Sequence, residues 1–455
     1  MADFSALLKK YSVPGPRYTS YPTVPHWETA PDADQWVAGI ARALDESLSR
    51  GIGSSIYAHI PFCQSLCTYC GCNTRITRSR AVGRPYVATV IRELDLYLSR
   101  LGRSEIPVTE IHLGGGTPTF LSEAELDELM SGIASRVKVM AGSEFSIEVD
   151  PRVTTEGQLK LLAGHGFRRI SLGIQDFDPK VQEAVHRVQT RAQVDEITRA
   201  AREHGFTSVN YDLIYGLPFQ TPDSVARTIE TVRGLRPDRI AFYSYAHVPW
   251  IKASQRRFTE ADLPDADAKR ALYELGRAML EESGYREIGM DHFALETDSL
   301  WRAAVDGSLH RNFMGYTSRL VAPLIGLGVS SIGDSWEIFA QNEKLLETYQ
   351  ARVEKGELPL LRGHILGEED LRVRQHILDL MTRFETSWQG SSDPFLLGAP
   401  ERLAGLAQDG IVELSPGRCR VTPEGRAFLR NVCMAFDARL ARAAASDRPV
   451  FSKTV

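Results

Sequence analysis

Apolar residues in the first half of the chain alternate between two periods. Short runs dense in β-branched and aromatic residues read as strands: "SSIYAHI", "VTEIHLGGG", "EFSIEVD", "RRISLGI", "SVNYDLIYG" and "RIAFYSYAHV". Between them lie charged segments with apolar positions three and four apart. "RPYVATVIRELDLYLSRLG", "SEAELDELMSGIASRV" and "TRAQVDEITRAAREHG" read as helices. Six such repeats between about residues 50 and 250 predict a parallel sheet with helices outside it. The expected class is α/β, a full or partial (β/α) barrel. Chemistry in such folds sits at the carboxyl ends of strands. Cys63, Gly114 to Gly116, Glu148, Gln175, Asp212 and Tyr243 to Ala246 fall there.

The flanks differ from this core. Residues 1–50 form an arm rich in Pro and Tyr as far as Trp27, followed by the helical run "DADQWVAGIARALDESLSRG". The barrel and its extension are expected over 51–350. Residues 351–455 read as helix, helix, short hairpin, helix, a mostly helical and winged-helix-like domain. It shows no basic recognition face, so a packing role is expected rather than DNA binding.

Composition adds two constraints. The 455 residues are 43% hydrophobic and 24% charged, a soluble globular balance, and the net charge of −5 gives no general reason to expect nucleic acid. No apolar run has the length of a signal peptide or a bilayer span, so a cytoplasmic protein with reduced thiols is expected. Six cysteines then do not make a disulfide framework. Cys419 and Cys433 read as buried small hydrophobes.

Four of the six cysteines stand together in "HIPFCQSLCTYCGCN", spaced Cys63-x3-Cys67-x2-Cys70-x-Cys72. Zinc sites usually show a second pair or downstream histidines, and none follows. Thioredoxin-like motifs place two cysteines at a helix start. Three close thiolates can instead hold three irons of a cubane cluster and leave one iron open to a ligand.

The triplet with Tyr69 before its last cysteine resembles the signature of the radical S-adenosylmethionine superfamily. The resemblance implies that Cys63, Cys67 and Cys70 hold a 4Fe–4S cluster. It implies that the open iron takes the amino and carboxylate groups of S-adenosylmethionine, with Tyr69 beside the adenine. "HLGGGTPTFL" matches the superfamily's glycine motif, which implies that Gly115, Gly116 and Thr117 line the cofactor site. Cys72 is left over, a packed or hydrogen-bonding thiol, because a fourth ligand would close the cluster.

A narrower resemblance covers nearly the whole chain. "PGPRYTSYPT" at 14–23, "IEVDP", "GIQDF", "YDLIYGLP", "GYREIGMDHFA" at 284–294, "LHRNFMGYT" at 309–317 and "IGLGVSSI" at 325–332 are similar to the oxygen-independent coproporphyrinogen III oxidases. That family implies two molecules of S-adenosylmethionine, held by Tyr57, Glu148, the glycine motif, Gln175, Arg187, Asp212, Ala246 and Ile332. It implies oxidative decarboxylation of two propionates of coproporphyrinogen III to vinyls. It also implies an electron donor such as a flavodoxin or ferredoxin, an electron acceptor of unknown identity, and a monomer. One position departs from the pattern: Met314 stands where glutamine is expected, and a thioether cannot donate a hydrogen bond. Two relatives of other function stay open as alternatives, a haem-binding chaperone and a haem-degrading radical methyltransferase. A substrate with four carboxylates needs cations, and Arg17, Arg75, Arg78, Arg80, Arg84 and Arg311 are the candidates.

Overall fold

The computed structural model describes residues 4–442 and 451–454. Six parallel strands form its centre: β1 (Ser54–Ile60), β2 (Ile106–Gly115), β3 (Val137–Val149), β4 (Phe167–Gln175), β5 (Ser208–Tyr215) and β6 (Arg239–Ser244). They are hydrogen-bonded in chain order. Helices Gly83–Leu101, Glu123–Ala134, Glu156–Gly164, Arg191–Glu203 and Pro222–Leu235 connect them. The starts of four of these helices are legible in the sequence. Ser122, Thr155, Thr190 and Thr221 each cap a backbone N–H three residues on, and the residue there caps back. Strand residues such as Ile56, Ile111, Ile147, Leu172 and Leu213 pack against Tyr86, Leu126, Leu159 and Ile229 from the helices, all buried in one core.

The sheet runs beyond the six expected strands. At the far edge it adds β7 (Tyr285–Gly289) and β8 (His292–Leu295); β8 pairs antiparallel to β6, and β7 antiparallel to β8. Beside β1 it adds β9 (Leu324–Leu327) in parallel, then β10 (Ile332–Asp334), β11 (Ile338–Asn342) and β12 (Leu360–Ile365). The order is β12-β11-β10-β9-β1-β2-β3-β4-β5-β6-β8-β7. The barrel's sheet therefore reaches Ile365, past the boundary expected at 350, and a cut there would pass through the helix Leu346–Glu354.

The remaining C-terminal residues have their own core. Helices Glu368–Arg383 and Ala399–Gln408 pack with a three-stranded sheet built from Glu385–Ser387, Arg418–Val421 and Val412–Ser415. Cys419 and Cys433 are buried in this core, as expected for small apolar side chains. The arm packs here too. Leu7, Leu8, Tyr18 and Tyr21 belong to the same cluster. Arg430 donates to the carbonyls of Gly15 and Pro16, and Tyr18 donates its O–H to Asp437 at 3.0 Å. Among the described residues no helix is long and apolar enough to cross a membrane.

Candidate radical-cofactor site

The cysteine loop leaves β1 and folds back beside it. Arg75 N–H donates to Pro61 O at 2.7 Å and Thr77 N–H to Cys63 O at 2.9 Å, closing the loop at its neck. His59 Nε2 reaches Asn73 O at 3.0 Å from below. Distant segments fix the outside. Thr68 N–H donates to Val185 O at 3.0 Å, Lys252 Nζ to Cys72 O at 3.1 Å and Gln255 Nε2 to Tyr69 O at 3.3 Å. A loop this short of regular structure has few bonds of its own to hold its cysteines. These bonds hold the thiols in place before any metal binds.

Gly115 and Gly116 close the other side. Gly116 N–H donates to Ile60 O at 2.8 Å, so the glycine run lies directly against the root of the loop. Gly115 has φ +117, a conformation that side chains rarely adopt. A Cβ on Gly116 would sit 2.7 Å from Pro61 O, which is backbone and cannot swing away. Gly116→Ala is therefore expected to push the loop off the strand end. Binding of S-adenosylmethionine to the reconstituted protein should weaken by roughly tenfold or more, for a clash and shift on the order of 1–3 kcal/mol. Isothermal titration without oxygen reads this directly.

Together these segments enclose a cavity of about 440 Å³ above the strand ends. Cys63, Cys67, Tyr69, Cys70, Gly115, Gly116, Thr117, Glu148, Gln175, Arg187 and Asp212 all line it. Eleven of the fourteen expected site residues thus meet in one place. Three do not line it. Tyr57 points into the barrel and stacks on His112 at 5.7 Å. Ile332 packs against Trp27, Phe339 and Leu366. Ala246 lies in the loop after β6, where its carbonyl accepts from Gln255.

The charges in the cavity are arranged in two groups. Asp150 accepts from Arg152 Nη2 at 2.6 Å and from Arg187 Nη1 at 3.2 Å. Both guanidiniums also donate to Cys67 Sγ, Arg187 at 3.6 Å and Arg152 at 3.7 Å. Burial alone would push Asp150 up, but the two arginines hold it below the usual carboxylate range. Cys63 Sγ lies 3.5 Å from Thr117 Oγ1, and burial pushes its thiol up to about 11. Cys70 is drawn down by the hydrogen bond that Cys72 donates, with help from Lys252 and Arg187. Deeper in, Glu148 accepts from Gly115 N–H at 3.2 Å and from His112 Nε2 at 3.2 Å. Burial pushes Glu148 up, but His112 and Gly115 more than offset this and keep it ionised. Asp212 accepts from Ser171 and Asn210 at 2.9 Å each. Burial, then the charge of Glu148, lifts it to about 7. A cationic ligand beside the pair would restore its charge. Gln175 closes β4 at φ +70, strain of the kind that gathers at ligand sites.

The donor set suits an iron–sulfur cluster. Four thiols line the cavity, Cys72 among them, and Cys67 already accepts from two guanidiniums. Among the described residues no group of three His, Cys, Asp or Glu side chains converges on a single metal ion. A cubane asks for no such convergence, since each thiolate takes a different iron. The glycine wall, two carboxylates and Arg187 then offer backbone amides, acceptors and a cation to a small zwitterionic ligand. Asp150, Arg152 and His112 belong to this site and were not among the residues expected. Two-residue periodicity along β3 places Asp150 on the face of Glu148, a signal that was present in "IEVDP".

Comparison with known proteins agrees with this geometry. Residues 57–232 match the family "Radical SAM superfamily", which uses a 4Fe–4S cluster and S-adenosylmethionine. The chain is 40% identical over 445 residues to the oxygen-independent coproporphyrinogen III oxidase of Pseudomonas aeruginosa, covering 95% of each. It is 39% identical to the Escherichia coli enzyme of the same name, covering 99% of this chain and 98% of that one. The solved structure of the Escherichia coli enzyme, HemN, described as a radical SAM enzyme, superposes with a TM-score of 0.87 over 95% of this chain and 98% of that one. The fold and site thus define a radical SAM protein. Within that class the chain belongs to the family of the oxygen-independent coproporphyrinogen III oxidases.

Proposed function

We propose that this protein oxidatively decarboxylates two propionates of coproporphyrinogen III to vinyls, giving protoporphyrinogen IX. The observation that carries this reading is the full-length match, arm and C-terminal domain included, joined to a cavity that sets Cys63, Cys67 and Cys70, with Cys72, against a glycine wall. It favours the oxidase over the haem-binding and haem-degrading alternatives.

Cys63, Cys67 and Cys70 hold the cluster in this reading, and Gly115, Gly116, Thr117, Glu148, Gln175, Arg187 and Asp212 hold S-adenosylmethionine. When bound and reduced, these cofactors supply a 5′-deoxyadenosyl radical that takes a hydrogen atom from the β-carbon of a propionate. The side chain then loses carbon dioxide and one electron to an acceptor and becomes a vinyl, so each propionate gives up one hydrogen atom, one electron and one carbon dioxide. The protein's share is positioning. Arg187 and Arg152 place donors on Cys67 sulfur, where they would hydrogen-bond a cluster-bound thiolate. Glu148 stays ionised and offers acceptors to hydroxyls or an ammonium. Tyr69, packed against Val181, Val185, Leu217, Tyr245 and Phe258, walls the cavity from water on one side. Tyr57, Ala246 and Ile332 are assigned to the cofactor sites by the family resemblance and lie outside this cavity. A flavodoxin or ferredoxin is the electron donor, the cytoplasm the compartment and the monomer the working form.

The test is anaerobic turnover of the reconstituted protein with reductant, S-adenosylmethionine and coproporphyrinogen III. Cleavage of S-adenosylmethionine with the porphyrinogen unchanged would refute the substrate.

Cys72 separates this ligand set from a four-cysteine one. It is exposed beside two half-buried and one buried thiol. Cys72→Ser is expected to keep the iron content of the wild type. Loss of that iron would make Cys72 a ligand.

A further inference from the structure

The six candidate cations for the substrate's carboxylates have very different surroundings. Arg75 pairs with Glu347 and Arg84 with Glu128 at the surface. Arg80 donates to Phe120 O, and Arg78 lines the cofactor cavity. Arg17 donates to Ser244 O at 2.9 Å and sits 3.7 Å from Asp291. Arg311 is 8% exposed. Among the described residues it has no ion pair, and its Nε and Nη1 have no hydrogen-bond partner. Its one contact of note is with the Tyr316 ring, 4.6 Å from the guanidinium carbon to the centroid. A buried guanidinium left unpaired is strongly destabilising, so a chain does not keep one without an anion to meet.

A second orphan lies beside it. His292 is buried, and its Nδ1 has no partner among the described residues. Tyr243 O–H lies 3.4 Å from His292 Nε2. With Tyr243 donating there, the ring proton sits on Nδ1, a donor without an acceptor. Burial first, then the charges of Arg311, Arg239 and Arg17, keeps the ring neutral. His292 and Arg311 pack on the same Tyr316 ring, the former with centroids 5.1 Å apart. His292, Tyr243, Tyr316 and Met314 line a small inner cavity of about 110 Å³. That cavity continues from the cofactor cavity, since Glu148, Ser171 and Asp212 line both.

We infer that Arg311 and His292, packed on the same Tyr316 ring, form a carboxylate-binding subsite beside the inner cavity. The guanidinium supplies the charge and the imidazole N–H a second donor. The inference rests on the proposed activity for its ligand. The candidate carboxylates are a propionate of the porphyrinogen and the amino-acid carboxylate of S-adenosylmethionine.

The test uses the full-length reconstituted enzyme as wild type, Arg311→Met and Arg311→Lys. Arg311→Met should raise KM for one ligand by roughly 10- to 100-fold, the range of a charge-assisted hydrogen bond, with a smaller change in kcat. Arg311→Lys should recover part of it. A change confined to KM for coproporphyrinogen III assigns the propionate, and one confined to KM for S-adenosylmethionine assigns the cofactor. The melting temperature of ligand-free Arg311→Met should equal or exceed that of the wild type, because an unpaired buried charge has been removed. Unchanged KM for both ligands overturns the subsite. So does a lower melting temperature or failure to fold, which would make Arg311 structural. If wild type itself leaves coproporphyrinogen III unchanged, the proposed activity fails separately, and the melting temperature and KM for S-adenosylmethionine still test the subsite.

Discussion

Cys67→Ala is expected to come out of anaerobic reconstitution without a cluster absorbance band, and to cleave no S-adenosylmethionine. Cys67 is the one thiol of the loop that is buried, and its sulfur receives Arg187 and Arg152. Two remaining thiolates cannot hold a cubane that relies on three. Cys72 cannot step in. Its thiol is hydrogen-bonded to Cys70, and its carbonyl is tied to Lys252. The fold should survive, since both arginines keep Asp150 as a partner. Iron per chain, the visible spectrum and the melting temperature check the three parts together. A variant that retains its cluster and cleaves S-adenosylmethionine would contradict the ligand assignment.

The largest effect on stability is expected at Glu93. This carboxylate is fully buried on the helix Gly83–Leu101. It accepts from Gly328 N–H at 2.8 Å, Asn342 Nδ2 at 2.6 Å and Tyr349 O–H at 2.7 Å. It joins the helix to the turn after β9, to β11 and to the helix Leu346–Glu354. Glu93→Ala leaves three donors without an acceptor and should cost about 3–5 kcal/mol. Tyr349→Phe removes one donor and should cost about 1 kcal/mol. Urea midpoints for the two variants give the comparison. Burial outweighs the three donors and raises Glu93 from 4.5 to about 7. An acid raised in the folded state favours folding most below its unfolded pKa. That contribution is present in full below pH 4.5 and is lost as pH rises through about 7. The Glu93→Ala variant should lose this part of the wild type's pH dependence. Equal slopes for the two proteins between these pH values would contradict it.

Glu93 also shows where sequence reading stops. In "RELDLYL" it looks like one more charge on a helix surface, and only the packing of the segment from Gly328 to Tyr349 over it reveals a buried hub. The strands, the helix caps and the cysteine loop were legible because each is written locally, in periodicity or in spacing. Most of the expected site residues follow from strand ends, which a parallel fold gathers at one edge. The pairing of Arg152 and Arg187 on Cys67 was not legible. It joins residues 85 and 120 positions apart, and nothing local marks it. Nor was the packing of the arm, which meets the C-terminal core through contacts such as Tyr18 with Asp437, 419 positions apart. The sheet's extra strands after β9 are short, three to six residues, and their apolar runs are too brief to be told from turns.

The most direct measurement is the mass of the tetrapyrrole after anaerobic turnover with coproporphyrinogen III, reductant and S-adenosylmethionine. The account predicts a product that has lost two carboxyl groups as carbon dioxide and carries two vinyls, formed alongside 5′-deoxyadenosine and methionine. A tetrapyrrole of unchanged mass beside cleaved S-adenosylmethionine, or one that has gained a methyl group, would contradict it.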